Sequence, residues 1–350
     1  MRLAFSLLAV PLLLTLSVGC ARPQVATPSQ IDAAVARKDT VTLAHLALRE
    51  CGPKAESVRQ TCYEDFFGRL ADSNRVHIAL GALAALAADH PEIEMEGHSF
   101  THVIGIRAWQ PGADVATIFR GCTGLFQSGC YHGVIQAYLI QDGNIDSARA
   151  VGLCDVIAPG STDRWLRFQC VHGLGHGFEM AWNWELPRAL TGCDWLHDNW
   201  DRASCYGGVF MENAVASMPG DHHTATHAMK ESEGDTGNMA MGGMIMPDPH
   251  KITFKMRDSS DALYPCSIVG DKYQRACYEL QGGLILAQTH SDFAKAALEC
   301  DKVTVAVRSE CYLSLGTNAS GMTLRDTPKA IADCLHGDPG YQPFCFEGVV

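Results

Sequence analysis

Basic charge is scarce in this chain of 350 residues: 27 Lys and Arg stand against 39 Asp and Glu, a formal net charge of −12 with histidine neutral. That balance argues against a basic face for nucleic acid or anionic lipid and favours cations and cationic partners. Long apolar runs are also missing, apart from Leu3 to Leu16 near the N-terminus. No G-x-S-x-G elbow, phosphate-binding Walker loop, Rossmann glycine fingerprint, HExxH helix or CxxCH haem attachment site occurs. These absences leave no signature of a serine hydrolase, a P-loop nucleotidase, a dinucleotide-dependent oxidoreductase, a zinc protease or a c-type cytochrome. Aromatic residues make up only 8% of the chain, but a hydrophobic content of 47% is ample for a folded core.

The one apolar run reads as an address. Arg2 supplies a short positive region, and Leu3 to Leu16 is too short and wrongly flanked for a spanning helix. It ends in Leu16-Ser17-Val18-Gly19-Cys20, which resembles a bacterial lipobox. The expectation is a lipoprotein-type signal peptide over 1–19, with a lipidated Cys20 and a tether over 20–30. The lipid would hold the exported chain on a bacterial membrane, and Ala21 suits the outer membrane, facing the periplasm or the cell surface. An ordinary signal peptide with an incidental cysteine is the alternative.

Cysteine usage fits export. Fifteen cysteines less Cys20 leave an even number, as a disulfide framework in an oxidising compartment requires. They fall into seven local pairs: Cys51/Cys62, Cys122/Cys130, Cys154/Cys170, Cys193/Cys205, Cys266/Cys277, Cys300/Cys311 and Cys334/Cys345. Zinc is the rival reading, but no pair has the two-to-four-residue gap of a zinc knuckle. Paired cysteines also leave no thiol nucleophile.

The second cysteine of each pair opens a recurring motif, as in Cys62-Tyr-Glu, Cys130-Tyr-His-Gly, Cys170-Val-His-Gly, Cys205-Tyr-Gly-Gly, Cys277-Tyr-Glu, Cys311-Tyr-Leu and Cys345-Phe-Glu-Gly. Spacing places Glu96-Gly-His-Ser in the same register, with Glu96 replacing a cysteine, and a degenerate repeat near Met241. Ahead of several first cysteines lies a helical stretch with a basic residue, Ala, three residues and Cys, as in Ser147-Ala-Arg-Ala-Val-Gly-Leu-Cys154 and Phe293-Ala-Lys-Ala-Ala-Leu-Glu-Cys300. The period of about 34 residues predicts disulfide-stapled helical hairpins. The expected fold is all-α: a right-handed α-solenoid of about nine hairpins forming a single domain over 31–350, interrupted by a Met/His-rich degenerate repeat or insert at 214–263.

These motifs resemble the secreted, cysteine-rich branch of SEL-like tetratricopeptide repeats. The best correspondence is Cys122-Thr-Gly-Leu-Phe-Gln-Ser-Gly-Cys130, although most gaps here are longer than that family's. Cys-Tyr-His-Gly, Cys-Val-His-Gly-Leu-Gly-His and Cys-Tyr-Gly-Gly-Val-Phe-Met-Glu also resemble motifs of little-characterised exported bacterial proteins. The resemblance implies a fold and attaches no activity.

Histidines recur within the repeat. His98, His132 and His172 lie two residues past the sequence anchors, and His102 and His176 lie six past. Residues four apart share a helix face, so His98/His102 and His172/His176 can each chelate one ion, with His132 on the intervening helix. Imidazole donors suit copper, zinc or iron rather than calcium or magnesium. Glu179 and Glu212 are the acidic partners available; if all five histidines bind, the excess of ligands favours a dinuclear centre, with Glu212 as the further metal ligand that completes it. Histidines that merely satisfy buried carbonyls are the bland reading. All six tryptophans fall between Trp109 and Trp200, either walling a pocket there or filling a larger core.

A second candidate is a copper loop made of His222, His223, His227, Met239, Met241, Met244 and Met246. Thioethers select Cu(I), but Met also serves as adaptable filler in a degenerate repeat. Two functional classes remain at this stage. One is an exported lipoprotein with a His-rich transition-metal site, acting as a metal-dependent oxidoreductase or hydrolase or as a metal-binding protein. The other is a metal-free interaction scaffold presenting a peptide or protein site on a concave face.

Overall fold

Aspartates open many of the helices. Asp39, Asp114, Asp146, Asp163, Asp292 and Asp326 each accept a hydrogen bond from a backbone N–H of the first turn that follows, satisfying donors that have no intrahelical partner. The computed structural model describes residues 26–72, 75–141, 145–159, 163–217, 253–323 and 325–350. Within them the chain is all-helical, its only extended pairing being an isolated bridge between Asp258 and Asp261. No helix of the described residues is long and apolar enough to cross a membrane.

In chain order the helices are α1 (Pro28–Ala36), α2 (Thr40–Cys51), α3 (Glu56–Ala71), α4 (Val76–Ala87), α5 (Pro91–Met95), α6 (Gly97–Ala108), α7 (Val115–Arg120), α8 (Gly129–Gln141) and α9 (Ser147–Ile157). There follow α10 (Arg164–Ala181), α11 (Leu186–Cys193), α12 (Asn199–Ser217), α13 (Asp271–Tyr278), α14 (Gly282–Gln288), α15 (Phe293–Asp301), α16 (Arg308–Met322), α17 (Thr327–Cys334) and α18 (Gln342–Val349).

All seven expected cysteine pairs are joined, with Cα atoms 5.5 to 5.7 Å apart. Five bridges link one helix to the next, while Cys122 and Cys266 lie in the segments before α8 and α13. A tyrosine that follows the second cysteine tightens several of these turns. Tyr131 donates to the Cys122 carbonyl at 3.0 Å, Tyr206 to Asp194 at 2.6 Å and Tyr312 to Asp301 at 2.8 Å. The seven bridges point to an oxidising, extracytoplasmic environment.

The helices bearing the second cysteines, together with the cysteine-free α6, pack in sequence: α3 on α6, α6 on α8, α8 on α10, α10 on α12, α12 on α13, α13 on α16 and α16 on α18. Buried Phe66, Phe67, Phe100, Ile135, Leu174, Phe178 and Val209 fill the space between them. Glycine brings three of these pairs especially close. A Cβ added to Gly105 would collide with the Cys130 carbonyl oxygen, and one on Gly133 with that of His102. The α10/α12 pair repeats this with Gly175 against Cys205 and Gly208 against His172, and α16/α18 repeats it with Gly316 against Cys345 and Gly348 against Leu313.

This packing corrects the register expected for α6. Gly175 and Gly316 lie five residues past Cys170 and Cys311, whereas Gly105 lies five past Phe100. Phe100, only 1% exposed, therefore stands where the missing cysteine belongs, one turn later than Glu96. With no disulfide to hold this hairpin, the burial of Phe100 and the Gly105 contact decide the register.

Candidate metal centre

The corrected register places His102, His132 and His172 at equivalent positions of α6, α8 and α10. His98 lies one turn before this row and His176 one turn after it. All five rings converge. His132 sits in the middle, its ring centroid 5.8 Å from His98, 5.3 Å from His102, 5.1 Å from His172 and 4.6 Å from His176. His102, His132, His172 and His176 are buried, and His98 is half-buried at the edge of the cluster.

Each i, i+4 pair is pre-arranged in the same way. His98 Nε2 lies 3.2 Å from His102 Nε2, and His172 Nε2 lies 3.2 Å from His176 Nε2. Their other nitrogens point outward to oxygen. His98 Nδ1 is 2.9 Å from the Phe126 carbonyl, His172 Nδ1 3.1 Å from the Ser204 carbonyl, His102 Nδ1 3.2 Å from Gln136 Oε1 and His176 Nδ1 3.0 Å from Glu212 Oε2. A carbonyl only accepts, so Nδ1 of His98 and of His172 carries the proton and their Nε2 atoms are bare lone pairs. Two imidazoles bound at 2.0–2.1 Å to a tetrahedral ion stand about 3.3 Å apart, close to the observed spacing.

The Phe126 carbonyl is presented by an unusual segment. Phe126, Gln127 and Ser128 all have positive φ, at 48°, 54° and 68°, which turns the short 3₁₀ stretch Leu125–Ser128 toward His98. Nothing in the residue types of this segment identifies it as part of a site.

His132 differs from the other four. It is 2% exposed, and neither ring nitrogen has a hydrogen-bond partner among the described residues. Such groups are rare in folded proteins and call for an explanation. Two triads can hold a metal ion, His98/His102/His132 and His132/His172/His176, with ligand atoms within 4.8 Å of one another in each. His132 belongs to both.

Burial sets the protonation of this region. Desolvation lowers the pKa of His132 and His176 well below the usual imidazole value, and that of His172 to about 4. The rings are therefore neutral, the form that ligates metal. Desolvation pushes Glu212 up to about 8 and Glu179 well above the usual carboxylate range. Glu179 is fully buried one turn beyond His176, and neither of its carboxyl oxygens has a hydrogen-bond partner among the described residues. Glu212 thus meets the expectation of an acid beside the histidines, but as an outer partner of His176 Nδ1 rather than a member of either triad.

Sequence reasoning missed Gln136, which gives His102 the kind of oxygen that Glu212 gives His176. The available signal was its place six residues past Cys130, where His176 stands relative to Cys170. It also missed Glu64, two residues past Cys62, buried and raised by desolvation to about 7. The tryptophans do not wall a single pocket. Trp165 and Trp200 pack on Phe168, whose ring stacks on His172. Trp182 and Trp195 surround Phe178, and Trp109 packs on Tyr138. Cys20 and the candidate copper loop, His222, His223, His227, Met239, Met241, Met244 and Met246, lie outside the described residues.

Comparison with family models, with curated proteins and with solved structures gives no match.

Proposed function

We propose that this is an exported metal-binding protein that holds a transition-metal ion at His98, His102, His132, His172 and His176, within a right-handed solenoid of disulfide-stapled hairpins carried on a lipid at Cys20. The observation that carries the reading is the repeated pair geometry: facing Nε2 atoms 3.2 Å apart at both His98/His102 and His172/His176. Outward hydrogen bonds that hold the ring and leave Nε2 for the ion are the usual support of a metal-bound histidine. In the metal-free protein each 3.2 Å contact is an N–H···N hydrogen bond, and an ion would take the place of the proton the pair shares; the arrangement occurs twice.

The donor set suits copper, zinc and iron, and excludes the oxygen-seeking calcium and magnesium. Burial of four of the five rings favours holding a metal over turnover at an open coordination position. The test is metal analysis of the purified mature protein after loading with Zn(II) or Cu(II) and extensive washing. At least one equivalent should be retained by the native protein, and His98→Ala with His172→Ala should abolish retention while leaving helix content unchanged. A native protein that stays metal-free after loading would replace this reading with the interaction scaffold.

A further inference from the structure

We propose that the centre is dinuclear and that His132 bridges its two ions, one ring nitrogen to each. The inference rests on the metal-binding reading above and specifies its form. The two triads share His132 and nothing else. Each contributes one His pair with Nε2 atoms 3.2 Å apart, and the His132 ring packs against all four partners. The five histidines do not merge into one group around a single point.

The state of His132 distinguishes one ion from two. A terminal ligand uses one ring nitrogen and normally donates its other N–H to an oxygen, as the other four histidines are placed to do. Both nitrogens of His132 are buried without a hydrogen-bond partner among the described residues. A single ion in either triad would satisfy one nitrogen and strand the other. Two ions satisfy both.

The bridging ring gives up its remaining N–H proton to solvent when the second divalent ion binds, becoming an imidazolate that donates one lone pair to each metal. No electron is transferred. The resulting positive charge lies near the buried carboxyls of Glu212 and Glu179. Imidazolate bridging suits divalent ions that favour nitrogen donors, above all Cu(II) and Zn(II).

Cu(II) is the probe, because two copper ions joined through an imidazolate are magnetically coupled and lose part or all of their ordinary paramagnetic resonance signal. The full disulfide-bonded chain is loaded with Cu(II), and bound copper and integrated spin are measured together. The expected result is two equivalents of copper with a spin count well below two. His132→Phe keeps a planar ring in the same space and should restore full spin for whatever copper remains. The double variants His98→Ala/His102→Ala and His172→Ala/His176→Ala remove one half-site each, and each should bind one equivalent with full spin.

Two equivalents with a full spin count in the native chain would overturn the bridge, as would coupling that survives His132→Phe. One equivalent in the native chain would overturn the dinuclear form while leaving the metal-binding reading standing. No bound copper or zinc at all would overturn both.

Discussion

His102 and His172 occupy equivalent places on α6 and α10, each with its carbonyl oxygen against a glycine of the next helix in the stack, Gly133 and Gly208. The α16/α18 pair packs in the same way, with Leu313 in that place against Gly348. Close glycine packing is therefore achieved without histidine. The imidazoles are an addition to a frame that does not need them, confined to three successive packing positions and extended by one turn on either side. That contrast makes a purely structural role for the row hard to sustain.

The glycines should accordingly govern both stability and the site. Gly208→Ala would drive a methyl group into the His172 carbonyl and separate α10 from α12, weakening the contact of Glu212 with His176. We expect a marked loss of stability, on the order of the 1–3 kcal/mol typical of overpacking, together with loss of metal retention. Gly152→Ala on α9 is the control. Nothing lies within 4 Å of its added Cβ, so it should stabilise the protein by roughly 0.4–1 kcal/mol and leave metal binding alone. Thermal unfolding and metal analysis of the two variants separate these outcomes.

The pH dependence of the metal-free protein follows from opposing shifts. His132, His172 and His176 have folded pKa values depressed below 6.5 by burial, to about 4 for His172. Their contribution is present above pH 6.5 and is lost as pH falls toward 4, because the unfolded chain then binds more protons. Glu64, Glu179 and Glu212 have raised values, about 7 for Glu64 and about 8 for Glu212. Their contribution is present below the usual 4.5 and is lost as pH rises through 7 and 8. Between pH 4.5 and 6.5 the two effects offset one another. Melting temperature measured in chelator should therefore be highest in that window and fall on both sides. A maximum above pH 8 would mean that the carboxyls are not buried as acids. Bound metal, which needs neutral rings and favours ionised carboxylates, should lift the alkaline side most.

Much of this was legible in the sequence because cysteine and histidine keep their spacing. The seven bridges follow from local pairing, and the convergence of five histidines follows from recurrence along a helical repeat. The register of α6 was not legible. Counting from neighbouring cysteines selects Glu96, but in a hairpin with no bridge the choice falls to Phe100 and Gly105, whose packing depends on helices distant in sequence. Gln136 and the Phe126 carbonyl were missed for a related reason. One is an ordinary amide until its helix is placed beside His102, and the other is a backbone atom aimed by three positive φ angles. The place of His132 on the intervening helix was legible; that it stands level with His102 and His172 emerges only once the register is corrected.

The disulfides should differ in their effect on the site. Cys154/Cys170 ties α9 to α10, the helix that carries His172 and His176. Replacing both cysteines with alanine should cost about 2–4 kcal/mol and weaken metal retention. The same change at Cys334/Cys345, which joins α17 to α18, should cost a similar amount without affecting retained metal. Peptide mapping without reduction should recover all seven local pairs, and a bridge between cysteines distant in sequence would contradict the fold.

Glu212→Gln isolates charge from shape. The glutamine keeps an oxygen for His176 Nδ1, as Gln136 already does for His102, but removes the carboxylate that makes the ring a stronger donor. Outer partners of this kind are typically worth 10–100-fold in metal affinity, so affinity at the His172/His176 pair should fall by about that factor. Stability of the metal-free protein should move the opposite way. Desolvation holds Glu212 near 8, so above that pH the native protein carries a buried carboxylate that glutamine does not, and the variant should melt higher than the native chain. The native asymmetry has a further consequence: with Glu212 behind one pair and Gln136 behind the other, the His172/His176 side should fill first, and Gln136→Glu should narrow the difference. If Glu212→Gln lowers melting temperature and affinity together, Glu212 acts through packing, and the asymmetry between the half-sites has another origin.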